Sequence, residues 1–303
     1  MTVLTLQRAP RARQEIRPGA PEETMAIASS ATLIIALVCG WMLVQLLVLG
    51  GITQQRSQHL LYAEFRSQLA QATAPTGELD YNQKPIAPGS PVALLSIPKL
   101  GLQQVVVDGT ASGDLMAGPG HLRSTPMPGQ AGVSVVMGRA STYGAPFREL
   151  PDLVKGDHIT VQNATGTVDY VVDDVRGAGD PIPAAPSGAT AGRLTLVTAR
   201  GSGFLSALRP GAAIYVDAST DKATSTGVVA AAVPTSEQVM GRDTAALPLL
   251  VLLLAALAGL VLAVSVARRH VRAVLVWTCA APVAVALAWG VTDQVIRLLP
   301  NLM

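Results

Sequence analysis

The sequence predicts a mainly β domain carried on membrane-spanning helices, and three features of the chain point that way. Half of the 303 residues are hydrophobic and only 14% are charged, against about a quarter in an average globular domain. Charge-free runs long enough to cross a bilayer lie towards both ends of the chain. Between them, short β-branched runs alternate with Gly, Pro, Asp and Asn, the punctuation of an all-β barrel or sandwich. Lys and Arg outnumber Asp and Glu by only 22 to 20, so the chain lacks a polyanion footprint and no nucleic-acid partner is expected.

Taken in order, residues 1–30 carry Arg8, Arg11, Arg13 and Arg17 and read as a cytoplasmic segment. Residues 31–51 contain no charge and form the first expected span. A cleaved signal peptide would have a shorter apolar core, about 7–15 residues, ending at small residues; this run reads instead as a retained anchor. In the stretch 52–85, Leu60, Leu61, Phe65 and Leu69 recur at helical spacing, so a juxtamembrane helix is expected before Pro75, Gly77 and Pro85 break it. Residues 219–244 read as a tether. Spans follow at 245–267 and 273–291, joined by a basic turn, 268–272, that contains Arg268, Arg269, His270 and Arg272. Positive residues stay inside, which places the N-terminal segment and this turn in the cytoplasm. A three-span topology results, with residues 86–218 outside the cell membrane and a C-terminal tail, 292–303, also outside.

Within residues 86–218 the β-branched runs are Val92–Ile97, Val105–Val107, Val133–Met137, Ile159–Val161, Val168–Val172, Leu194–Thr198 and Ala213–Val216. About 130 residues is enough for an independent core. Asp169, Asp173, Asp174 and Asp180 could suggest calcium, but strand alternation places Asp169 and Asp173 on one face and Asp174 on the other, which reads as a solvated edge. His121 and His158 have no partner at metal-ligand spacing, so no metal and no cofactor is expected. The glycines at 177–180 and 201–203 fit turns and not a dinucleotide or phosphate loop.

A specific succession of motifs runs through this region: IPKLGL at 97–102, DGT at 108–110, GPGH at 118–121, TPMPGQAG at 125–132, STYGAPF at 141–147, LVKGD at 153–157 and LTLVTA at 194–199. Over about residues 90–218 the chain resembles the sortases, membrane-anchored cysteine transpeptidases of Gram-positive surfaces, and is most similar to class E and related actinobacterial members. The resemblance implies a closed eight-stranded β-barrel outside the membrane, with a groove for an extended sorting peptide of a cell-surface protein. In that family a histidine lies in a G-H-R-x-T-[YF]-G-A-P-F motif and a cysteine ends a strand reading T-L-x-T-C. Here Arg139 stands at the histidine position and Ala199 at the cysteine position. Arg209, ten positions after Ala199, matches the family arginine, with Arg200 as a rival. Arg139, Tyr143, Thr198, Ala199 and Arg209 are the peptide-binding residues so implied.

The two replacements remove the family chemistry. A thiolate is the nucleophile in covalent transpeptidation, and an alanine methyl cannot take its place. Arginine stays protonated where histidine would titrate. The two cysteines, Cys39 and Cys279, both fall inside expected spans. Three readings follow. The domain is a pseudoenzyme that keeps a peptide cleft; or a hydroxyl of Thr198, Ser202 or Ser141 acts as nucleophile, although none has an evident base; or the barrel is a structural membrane subunit.

Overall fold

Where β-branched residues recur at alternate positions, the chain forms strands whose apolar side chains meet inside a closed barrel. The computed structural model describes residues 38–200, 211–224, 232–267 and 272–303. The strands are β1 (Pro91–Ile97), β2 (Leu102–Asp108), β3 (Gly120–His121), β4 (Gly132–Met137), β5 (His158–Asn163), β6 (Gly166–Gly177), β7 (Gly192–Ala199) and β8 (Ala213–Thr220). Their order around the barrel is β1-β2-β3-β4-β7-β8-β6-β5, closed by pairing of β5 with β1. Closure leaves no edge strand to recruit another chain. Two pairs, β2 with β3 and β4 with β7, are parallel, and the rest are antiparallel.

Seven strands coincide with β-branched runs in the sequence; β3 does not. Its two residues, from the GPGH motif, are held by Val107 on one side and Met137 on the other. A side chain at Gly120 would collide with the Gly109 carbonyl oxygen, so close backbone approach, not strand propensity, makes this strand.

The barrel is filled by Leu95, Ile97, Ile159, Tyr170, Leu194, Leu196 and their neighbours, all buried. On β6, Val168, Tyr170 and Val172 face inward, as alternation requires. A register shift between Val172 and Asp174 then breaks the alternation, so Asp173 and Asp174 are both exposed and Val175 turns towards the core. The expected opposition of Asp173 and Asp174 is therefore corrected by a bulge, which keeps a carboxylate out of the interior.

Residues 42–44 are helical, pass through a π-turn at Gln45–Leu49, and continue as α1 (Gly50–Ala70). Phe65, flanked by Leu61 and Leu69, packs on Leu94 and Val105, while Leu60 is exposed. Gln58 acts as a side-chain extension of the sheet: its Oε1 accepts from Val105 N at 2.7 Å, and its Nε2 donates to the carbonyls of Val105 and Ala117. The helix expected in 52–85 is thus bolted along β2.

Two further helices, α2 (Leu247–Ala267) and α3 (Ala273–Leu298), pack against each other and present exposed apolar side chains such as Leu252, Leu262 and Val274. Both are long and apolar enough to cross a membrane. Among the described residues there are two such helices, not three. Residues 31–37 of the first expected span lie outside the described residues, and the described continuation turns amphipathic at Gln45, Gln54 and Gln58, which bond to the protein. Arg268, Arg269 and His270 also lie outside them.

The tether and the tail look different in the structure. In the 219–244 stretch, Glu237 is buried and bonded to Arg123, and Val239 and Met240 pack on a cluster at one end of the barrel. Helix α3 runs past residue 291 to Leu298, and Asn301, Leu302 and Met303 are buried rather than free in solvent.

Candidate functional site

On three adjacent strands the outward-facing residues form one continuous floor. Met137, Val197 and Tyr215 stand side by side across β4, β7 and β8, and Val135, Thr195 and Asp217 form the next row. The floor belongs to a groove of about 340 Å³ walled by Ile182, Pro183 and Val239. Arg193 holds one wall by donating to the carbonyls of Pro183 and Ala184. Asp217, buried beneath the floor, accepts from Arg176 Nε and from Thr195 Oγ1, each at 2.6 Å. The Arg176 guanidinium lies 4.3 Å from the Tyr215 ring centre. Composition is apolar with a few fixed polar groups, as in a ligand site.

Past Met137, which lines the groove, the chain leaves β4 and enters the loop 138–147. Gly138 has no room for a side chain because the Phe147 ring occupies that space. Tyr143 and Ala145, on either side of Gly144, have positive φ values of 49° and 44°, a sparsely allowed conformation for non-glycine residues. The Tyr143 ring packs with Leu46 and Ile296, and its hydroxyl lies 3.4 Å from Asp293 Oδ1. Burial, first of all, pushes the Tyr143 phenol above its ordinary range.

Arg139 is fully buried in this loop. Its Nη1 donates to Thr142 Oγ1 and to the Met303 carbonyl, both at 3.0 Å. Its Nη2 donates to the carbonyl and the hydroxyl of Ser112, at 2.7 and 2.8 Å. Among the described residues Nε has no partner, and no aspartate or glutamate pairs with the guanidinium. Tyr143 offers its ring face at 5.4 Å. Burial lowers the pKa of Arg139 to about 10. The group therefore remains a cation at neutral pH and cannot serve there as a general base.

Ala199 ends β7 and lies in the apolar cluster that contains Met137, Ala140, Val197 and Leu302. The structure thus brings Arg139, Ala199 and Tyr143 into the loop and cluster at one end of the barrel. It does not place Thr198 with them. On β7, Leu194 and Leu196 belong to the barrel interior, and alternation puts Thr198 on their side, opposite to Ala199. Thr198 is buried with its hydroxyl unpartnered among the described residues. Arg200 is exposed just beyond the strand. Arg209 and Ser202 lie outside the described residues.

Residues 95–201 match the sortase domain family. Over that stretch the chain is similar to the sortase domain. Over 122 residues it is 28% identical to sortase D of Bacillus subtilis (strain 168), covering 40% of this chain and 60% of that protein; the match thus spans less than two thirds of the relative's length. Among solved structures it is similar to a Clostridium perfringens sortase D5 transpeptidase, with 19% identity, 54% of this chain and 97% of that chain covered, and a TM-score of 0.42. It is also similar to sortase E from Streptomyces avermitilis, with 26% identity over 50% of this chain and 100% of that chain, and a TM-score of 0.35.

Several residues of this candidate site carry no sequence motif. Ser112 and Thr142 hold Arg139, and Asn301, Leu302 and Met303 come from the far end of the chain. The one available signal was that residues 296–303, IRLLPNLM, stay apolar after the span ends, unusual for a tail in solvent. His121 is also accounted for: its Nδ1 lies 3.3 Å from Asp108 Oδ1, and its Nε2 faces the carbonyls of Thr125 and Pro126. Those contacts buttress β3 and its following turn.

Proposed function

We propose that the protein is a membrane-anchored, extracellular sortase-like pseudoenzyme, similar to class E members, that binds a peptide segment of a surface protein without cysteine transpeptidation. One observation carries the reading: Arg139 and Ala199, which by resemblance stand at the family histidine and cysteine positions, are a fully buried arginine and an alanine clustered with the groove residues Met137 and Val197. Covalent acyl transfer needs an activated nucleophile beside a base, and Arg139 and Ala199 supply neither. A fixed cation two residues after the groove residue Met137 favours instead a ligand with apolar side chains and a carbonyl or carboxylate oxygen. Helices α2 and α3 supply the membrane anchor, and the arginines of the turn between them favour the cytoplasmic side. The barrel then lies on the outer face.

The hydroxyl-nucleophile reading has less in its favour, since Thr198 sits on the interior side of β7 and Ser141 has no histidine near it in sequence. The test is a fluorogenic peptide-cleavage assay on the full chain in detergent, with and without Arg139→His plus Ala199→Cys. Wild-type protein should give no thiol-dependent turnover, and iodoacetamide should change nothing. Turnover by the wild type that Ser141→Ala or Thr198→Val abolishes would reject the pseudoenzyme.

A further inference from the structure

The cleft at Arg139 is not empty. After α3, Pro300 ends the helix and residues 299–303 turn back into the barrel. Asn301 is fastened first: its amide N donates to the Gly241 carbonyl at 3.0 Å, and its Nδ2 donates to the carbonyls of Thr110 and Gln238 at 2.8 and 2.9 Å. The Leu302 side chain enters the cluster of Met137, Val197 and Ala199, and its carbonyl accepts from Ala140 N at 3.0 Å. The Met303 carbonyl accepts from Arg139 Nη1 at 3.0 Å and from Thr142 Oγ1 at 2.6 Å. Asn301, Leu302 and Met303 are at most 2% exposed.

We propose that residues 299–303 are a built-in peptide ligand of this cleft, received by the two positions at which the family's catalytic residues have been replaced. Each replacement has a part in that reception. Ala199 contributes a small apolar surface to the cluster that takes Leu302. Arg139, with no aspartate or glutamate partner among the described residues, donates to Ser112, Thr142 and the main-chain oxygen of Met303, so the tail supplies one of its acceptors. Buried charges need such partners, so tail and guanidinium depend on each other. The tail is covalently continuous with α3, so its effective concentration at the cleft is high and a peptide from another protein must displace it. Release would uncover Arg139 next to the apolar groove. The regulatory consequence rests on the peptide-cleft reading above; the docking of the tail does not.

Hydrogen exchange followed by mass spectrometry on the detergent-solubilised full chain tests the docking. The Ala140 amide and residues 301–303 should be protected in the wild type, and Leu302→Asp should speed their exchange at least tenfold. Leu302→Ala, which adds no charge, should produce a smaller change in the same direction. A fluorescein-labelled peptide of residues 296–303 added in trans should bind Leu302→Asp at least tenfold more tightly than the wild type, and adding Arg139→Ala should remove that binding. Unprotected residues 301–303 in the wild type, or measurable binding of the peptide with equal affinity to wild type and Leu302→Asp, would overturn the proposal. Wild-type protection together with no binding of any peptide to the released variant would uphold the docked tail and instead reject the peptide-binding function.

Discussion

On the inner side of β7, Leu194 and Leu196 sit among the apolar side chains that fill the barrel; on the outer side, Thr195 and Val197 line the groove, Ala199 joins the apolar cluster beside it, and the loop after β4 holds a buried guanidinium. One strand therefore serves two environments. Inside, the requirement is volume: close-packed hydrocarbon with few polar groups, among them the Tyr170 hydroxyl, which accepts from Gly129 N and whose pKa burial pushes up to about 12. Outside, the requirement is satisfaction of polar atoms, because the buried guanidinium of Arg139 needs acceptors away from water, which Nη1 and Nη2 find in Thr142, Met303 and Ser112. The two faces should therefore respond differently to mutation.

The interior should show the largest losses. Phe147 is fully buried, with its ring against Gly138. Phe147→Ala should cost about 3–5 kcal/mol, the range for deleting a buried aromatic ring. Thermal unfolding of the full chain in detergent measures it; a loss no larger than that of a surface substitution would break the claim that this side is close-packed. The cleft should lose less. Arg139→Ala removes four charge-assisted hydrogen bonds but also relieves a cation of its desolvation, so about 1–3 kcal/mol is expected. Arg139→Met, which keeps hydrocarbon in the space without a charge, should fall between Arg139→Ala and the wild type. If Arg139→Ala melts like the wild type, the bonds to Ser112, Thr142 and Met303 contribute nothing.

A third experiment sharpens the contrast at the support of the cleft. Asp114 follows Ser112 by two residues, and its pKa is raised to about 6, by burial first and by Glu237 next, against smaller opposing effects of the Ala111 backbone, Arg123 and Arg297. Arg123 itself is bonded to Glu237, which raises its pKa. A carboxyl whose folded pKa exceeds its ordinary value binds protons more readily in the native state, so stability falls as pH rises from about 4 through 6 and the penalty is full above 6. Asp114→Asn should remove that penalty, stabilising the protein by about 1–2 kcal/mol at pH 7.5 after allowance for partial exposure. The gain should shrink towards pH 4.5. A pH-independent gain, or none, would show that Asp114 is not held against its ionisation.

These differences also explain what could be seen in the sequence. Strands such as Leu194–Thr198 are legible because burial on one face of a sheet imposes alternation and β-branching on the chain itself. The positions of Arg139 and Ala199 were legible because they sit within ordered motifs. Ser112, Asn301 and Leu302 were not, because their roles depend on contacts between segments far apart in the chain, 27 residues for Ser112 with Arg139 and 191 for Asn301 with Thr110, which leave no local period. The short strand β3 stayed hidden for a related reason: Gly120 is there to let the backbone of Gly109 approach. The stretch 219–244 reads as a tether because its composition is that of a linker, yet Glu237 is buried against Arg123 and Val239 walls the groove.

The smallest effect is expected at Thr198, where the two faces meet within one strand. Its hydroxyl is buried on the interior side and has no partner among the described residues. An unsatisfied buried hydroxyl carries a desolvation cost with no hydrogen bond to offset it, so a side chain of nearly the same shape without the oxygen should be tolerated. Thr198→Val should leave the melting temperature unchanged or raise stability by up to about 1 kcal/mol. Valine also suits a β-strand, so a loss could not be assigned to propensity. Peptide binding at the outer groove should be unaffected, since Thr198 points away from it. A clear destabilisation would mean that the hydroxyl has a partner on the interior side. A loss of peptide binding or of turnover would mean that β7 presents Thr198 to the cleft, and the division of labour between its two faces would fail at the position where the chemistry was expected.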